Sequence, residues 1–150
     1  MASLKSQDAN ETFDVVCLWD TIEHLRDPHL YLEKISKHTQ KGSLIAITTG
    51  DIDSINASLR KEKWRLIHPP THLHYFSKKS IEKLLNKNGF EVIYNRHCGF
   101  YRSIDNILHN ILVLRNKYSN LYQAIKKTKL TSLDFYLNMF DIMYVVARKK

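Results

Sequence analysis

Glycine is scarce in this 150-residue chain. It occurs four times, at Gly42, Gly50, Gly89 and Gly99, and no two are close together. No G-x-G exists, so these residues hold no glycine-rich loop of the kind that cradles a cofactor. Cysteine is scarce too. Cys17 and Cys98 stand far apart, suggest no disulfide framework, and make a reducing, cytoplasmic setting the default expectation. No apolar run approaches the roughly 20 residues of a membrane span. The first twelve residues, MASLKSQDANET, lack the apolar core of a signal peptide and read as a flexible arm. Acidic residues number 15 against 23 lysines and arginines, for a net charge of +8. The basic residues are spread rather than clustered, and no aromatic-basic ladder accompanies them. They read as solvated helix faces. Nucleic acid is a poor partner for such a pattern, and a membrane surface is only weakly suggested.

The stretch around which the chain is organised is FDVVCLWDTIEHL, Phe13 to Leu25. Its apolar run alternates poorly and is rich in β-branched and aromatic residues. A strand buried on both faces reads this way, which implies a parallel sheet. Polar groups follow at the strand's C-terminal end, the edge where open α/β sheets bind ligands.

Asp27-Pro28 reads as the cap and first position of a helix over 28–41, with Tyr31, Leu32 and Ile35 on its apolar face and Gly42 as its left-handed terminator. Leu44 to Ile47 is the next buried strand, ending at Thr48-Thr49-Gly50-Asp51, which completes a right-handed crossover. Ser54 to Leu66 reads as a short basic helix with Ile55, Leu59 and Trp64 inward. Two prolines make 68–76 a loop. Ser77 caps the next helix, Phe76 and Ile81 form a hydrophobic staple, and Gly89 ends the helix before a strand over 90–95. Residues 103–117 have helical spacing with a broad apolar face. Residues 119–130 are weaker, 133–140 helical or irregular, and 142–147 a last strand. The expected domain organisation is one α/β domain over 13–150 with a helical cap at about 100–140.

FDVVCLWDTIEHL followed by DPHLYLEKI resembles the fourth strand and following helix of class I S-adenosylmethionine-dependent methyltransferases. HLHYFS at His72 to Ser77 is similar to a later motif of one branch of that family. GSLIAITTGD matches its fifth strand, and GFEVIYN and DIMYVVARKK match its last two. The resemblance covers 12–98 and 141–150. It implies a partial Rossmann-like sheet of about four strands with flanking helices, the last strand antiparallel and inserted between the fifth and sixth. The family's glycine-rich loop and the acidic residue that holds the cofactor ribose have no counterpart. The chain therefore reads as the acceptor-side portion of such a domain, inactive by itself.

The resemblance also implies site residues. Trp19, Asp20 and Thr21 would lie by the cofactor, S-adenosylmethionine. His24, His72 and His74 are the candidates for catalysis, since an imidazole can take a proton from an acceptor near neutral pH. Thr49, Gly50, Trp64, His68 and Tyr75 are the candidates for binding a small acceptor. Glu23 reads as structural. The H-x3-H-x-H spacing of His68, His72 and His74 invites a metal, but on a Pro-Pro loop it is unspecific, and no metal is assigned. Without the preceding strands, the segment 13–19 would be a sheet edge with unpaired backbone groups. A missing N-terminal half or a second copy is the expected partner there. The alternative function is a non-catalytic homo-oligomeric interaction module derived from the same fold.

Overall fold

The computed structural model describes residues 12–127, 131 and 133–150. The arm, apart from Thr12, lies outside them, as do residues 128–130. By its contacts the chain divides into two compact units, one formed by residues 1–98 and 140–150 and the other by Gly99–Met139.

The first unit begins with β1 (Phe13–Trp19), a single 3-10 turn (Ile22–His24) and α1 (Pro28–Lys37). There follow β2 (Thr39–Gly50), α2 (Ile55–Arg60), α3 (Lys78–Lys87), β3 (Phe90–His97) and, after the second unit, β6 (Ile142–Lys149). The sheet order is β1-β2-β6-β3. β1 runs parallel to β2, and β6 runs antiparallel to both β2 and β3. This is the expected order and direction.

Strand alternation decides which face holds the core. Leu18 pairs with Ile47, and Ile47 with Val145. Those residues, with Val16 and Ile45, face Leu32 of α1 and Ile81 and Leu85 of α3 in one apolar cluster. Full burial of each such side chain contributes about 2 kcal/mol. The alternate residues Val15, Cys17 and Trp19 project to the other face and are exposed. Tyr94, which shares that face through its pairing with Val146, is also exposed. Burial of β1 on both faces is therefore not observed: α1 and α3 both serve a single face, and the outer edge of β1 is unpaired.

Local chemistry explains the element ends. The Asp27 side chain accepts from the Leu30 amide, and Pro28 occupies the first turn. Ser77 and Ser80 form a reciprocal capping box at the start of α3. Phe76 and Ile81 are both buried, as a staple requires. Gly89, at φ +80°, turns the chain out of α3. Three details differ from expectation. α1 stops at Lys37 with His38 as its C-cap. Gly42, at φ +94°, lies inside β2, whose register with β1 shifts between Phe13 and Val15. Tyr31 is exposed, as are Ile55 and Leu59 on α2, where only Ala57 is buried. A helix of six residues is too short for periodicity to fix its inner face.

The second unit contains β4 (Phe100–Ser103), α4 (Ile104–Leu108), a π-helical stretch (His109–Arg115), α5 (Ser119–Lys126) and β5 (Asp134–Leu137). β4 and β5 pair antiparallel, so the segment read as helical or irregular includes a strand. The four-residue strand is too short to show alternation.

Candidate functional site

The C-terminal ends of β1 and β2 lie side by side, with Trp19 opposite Thr48. The chain leaves β1 through Asp20 at φ +44°, a left-handed conformation that aspartate tolerates. The Asp20 amide donates to the Thr48 carbonyl at 3.2 Å and lies 3.0 Å from Thr48 Oγ1. Thr48 Oγ1 in turn donates to Asp20 Oδ1 at 3.1 Å. The carboxylate is thus held at the strand edge. The Thr21 hydroxyl donates to the Trp19 carbonyl, and the exposed Trp19 ring leans on Tyr144 with centroids 5.8 Å apart.

The 3-10 turn that follows turns Ile22 and Glu23 inward and leaves His24 exposed. Glu23 does two jobs. Its carboxylate accepts from the buried Thr49 hydroxyl at 3.0 Å. Its carbonyl accepts the amides of Leu73 and His74 at 2.8 and 3.2 Å, which fixes the histidine-rich loop against the turn. His24 Nδ1 then reaches the Thr71 carbonyl at 2.7 Å, and His72 Nδ1 the Leu66 carbonyl at 2.8 Å. The two rings meet edge to face with centroids 4.6 Å apart. His74 Nε2 lies 3.4 Å from the Arg26 carbonyl, and His68 Nδ1 lies 2.7 Å from Thr71 Oγ1. Tyr75 is exposed on the same loop. His24, His68, His72 and His74 therefore share one loop-and-turn cluster, which the chain enters from β1 through Asp20.

Three expected acceptor contacts are placed otherwise. Trp64 is 2% exposed and its indole donates to Asp141 at 2.9 Å. Thr49 is buried and committed to Glu23. A Cβ on Gly50 would lie 2.7 Å from Leu66 and 3.0 Å from Trp64. These residues build the floor beneath the edge rather than its open surface, because the strand end is already covered by the segment from Trp64 to Leu66.

Two further groups escaped the sequence reading. Asp51, 3% exposed, follows β2, and His97 ends β3; their side chains meet at 2.8 Å between Oδ2 and Nε2. Asp141, 1% exposed, accepts from Trp64, from Asn56 at 2.8 Å and from Arg65 at 2.8 Å. Each pairing joins residues far apart in sequence. The one available signal was an aspartate directly at a strand end. Beside them, burial and then the negative charge of Asp20 push the Cys98 thiol above its ordinary range.

A family model described as a methyltransferase domain matches residues 3–95. The chain belongs to the methyltransferase-domain family. Solved structures share the fold of this methyltransferase family member. A SAM-dependent methyltransferase from Thermotoga maritima is 16% identical with a TM-score of 0.55, over 94% of this chain and 58% of that one. A structure from Bacillus halodurans, also described as a methyltransferase, is 14% identical at a TM-score of 0.55, over 97% and 68%. The methyltransferase bound to the Trm112 activator in a Haloferax volcanii complex is 11% identical at 0.56, over 93% and 55%. The chain thus spans between 55% and 68% of the lengths of these relatives. A search of curated proteins finds no match. No helix among the described residues is long and apolar enough to cross a membrane.

Proposed function

We propose that this chain is the acceptor-side portion of an S-adenosylmethionine-dependent methyltransferase, and that it needs a companion segment to hold the methyl donor. The observation that carries this reading is the convergence at one sheet edge: Asp20 at the end of β1, and His24, His72 and His74 on the turn and loop beside it. Methyl transfer from a sulfonium needs an acceptor held in line and a group to take its proton. His24 and His72 are suited to that edge because a backbone carbonyl anchors Nδ1 of each ring and leaves Nε2 to take a proton. His74 stands next to them on the loop. Trp19, Asp20 and Thr21 would flank the methionine part of the donor. The donor, when bound, supplies the methyl group; these residues supply a wall and a fixed carboxylate, not a cradle. The absence of any G-x-G in the sequence and the greater length of the relatives support the need for a companion.

The test is a chimera. The segment of the Thermotoga maritima relative that precedes its counterpart of β1 is joined ahead of Thr12. The folded chimera should bind S-adenosylhomocysteine, and Asp20→Ala should weaken that binding about ten-fold, the cost of one hydrogen bond to a charged group. A folded chimera that ignores the ligand would count against the reading.

A second reading has its own observation. The open edge of β1 and the exposed Val15 and Trp19 beside it form a surface that another strand can cover. The occupant is either the companion segment or a second copy of this chain, in which case the fold serves as an interaction module.

A further inference from the structure

The structure joins Glu23, which read as structural in the sequence, to the two candidate histidines His24 and His72. One ligand atom from each of Glu23, His24 and His72 lies within 4.8 Å of the other two. The geometry points to a divalent transition-metal site, of the zinc class, made of two imidazoles and one carboxylate with open positions for an oxygen-bearing ligand. It deepens the acceptor reading above, but metal binding is measured independently of methyl transfer.

Four observations carry the site. First, both imidazoles are set up as ligands. Nδ1 of His24 and of His72 faces a backbone carbonyl at 2.7 and 2.8 Å, so Nδ1 carries the proton and donates. Nε2 of each ring is left with its lone pair. This is how metal-binding histidines are held, with the second nitrogen anchored to a carbonyl. Second, the two rings meet edge to face with centroids 4.6 Å apart, so one nitrogen of each lies close to the Glu23 carboxylate without the rings stacking. Third, Glu23 is 5% exposed, and the ion pairs among the described residues are Lys37–Glu33, Arg65–Asp141, His97–Asp51 and Lys126–Asp105. Among the described residues, no lysine or arginine pairs with Glu23. A buried carboxylate without a counter-charge is costly, and a cation bound beside it removes that cost. Fourth, Thr49 donates to Oε2 of Glu23 and orients the carboxylate, as groups supporting metal ligands do.

The scale is right for an ion. Ligands on one tetrahedral zinc sit about 3.3 Å apart, given metal–ligand bonds of about 2.0 Å. The ligand atoms already lie within 4.8 Å of one another, so reaching that spacing requires only small side-chain rotations. Two imidazoles select zinc, iron, cobalt or nickel over magnesium and calcium. Three protein ligands leave room for water or for an acceptor oxygen, which the ion would orient and acidify. With an ion bound, His24 and His72 are its ligands, and of the three histidines proposed above His74 alone stays available for proton removal.

The test is titration of the 150-residue chain with Co2+, followed by visible absorption, and with Zn2+, followed by calorimetry. One ion per chain is expected. His24→Gln, His72→Gln and Glu23→Gln should each weaken binding at least about ten-fold, while His68→Gln and His74→Gln should bind like the parent. His24 is exposed, so His24→Gln keeps the fold and decides the matter if His72→Gln does not. A folded chain that binds neither ion, or binding that survives His24→Gln, overturns the proposal. Metal binding by a chimera that holds S-adenosylhomocysteine but never transfers a methyl group would sink the functional reading and leave the metal site standing.

Discussion

Asp141 shows how much one buried carboxylate can organise. It joins α2 through Asn56 and the segment beyond it through Trp64 and Arg65. Asp141→Ala would strand the indole N–H in the interior and leave Arg65, about one third exposed, without its partner. A loss of about 3 kcal/mol is expected, at the low end for a broken buried pair because Arg65 reaches water. Urea denaturation monitored by tryptophan fluorescence measures it. Cys98 gives a pH-dependent readout. Its thiol is pushed up by burial and then by Asp20, so the neutral form is favoured in the folded chain. That contribution to stability is complete below the unfolded thiol's pKa and is lost as pH rises through the folded value. Since the thiolate is the nucleophile, Cys98 should alkylate several-fold more slowly than the exposed Cys17 at pH 8. Asp20→Asn should narrow the gap. Intact-mass time courses follow both sites. Equal rates would remove the electrostatic link between Cys98 and Asp20.

The helices and strands divide by how local their causes are. The start of α3 was legible because Phe76, Ser77 and Ile81 carry a complete cap and staple within six residues. Ser77→Ala should cost about 1 kcal/mol, seen as a lower urea midpoint with an unchanged slope; no change would mean that Ser80 alone satisfies the first turn. The sheet order was legible only through the resemblance, since nothing local tells β6 to insert between β2 and β3. The faces of β1 were not legible. Its composition fits a strand covered on both sides, whereas Val15, Cys17 and Trp19 are open. Sequence registers what a strand can tolerate, and the cover depends on other elements. The same limit applies at the site. The histidines of the 68–74 loop stood out by spacing, but Glu23 and Thr49, or Asp51 and His97, meet only once the strands are in register. β5 was missed because four residues show no period, and α2 misled because its helical spacing is satisfied by a single buried alanine.

Across the assembled sheet, the unpaired edge of β1 and its exposed face are where the proposed partner would sit. A chain of this kind should associate in sedimentation experiments at high concentration, and Trp19→Lys should weaken that association by placing a charge on the open face. A monomer at every concentration would leave the companion segment as the occupant and remove the interaction-module reading. The central claim is that the acceptor side is present and the donor cradle is not. Calorimetric titration of S-adenosylhomocysteine into the folded 150-residue chain tests it most directly. The account expects no binding at micromolar concentrations, because one carboxylate and one aromatic wall cannot replace a glycine-rich cradle. Micromolar binding by the chain alone would contradict it and would mean that these residues build a complete donor site by themselves.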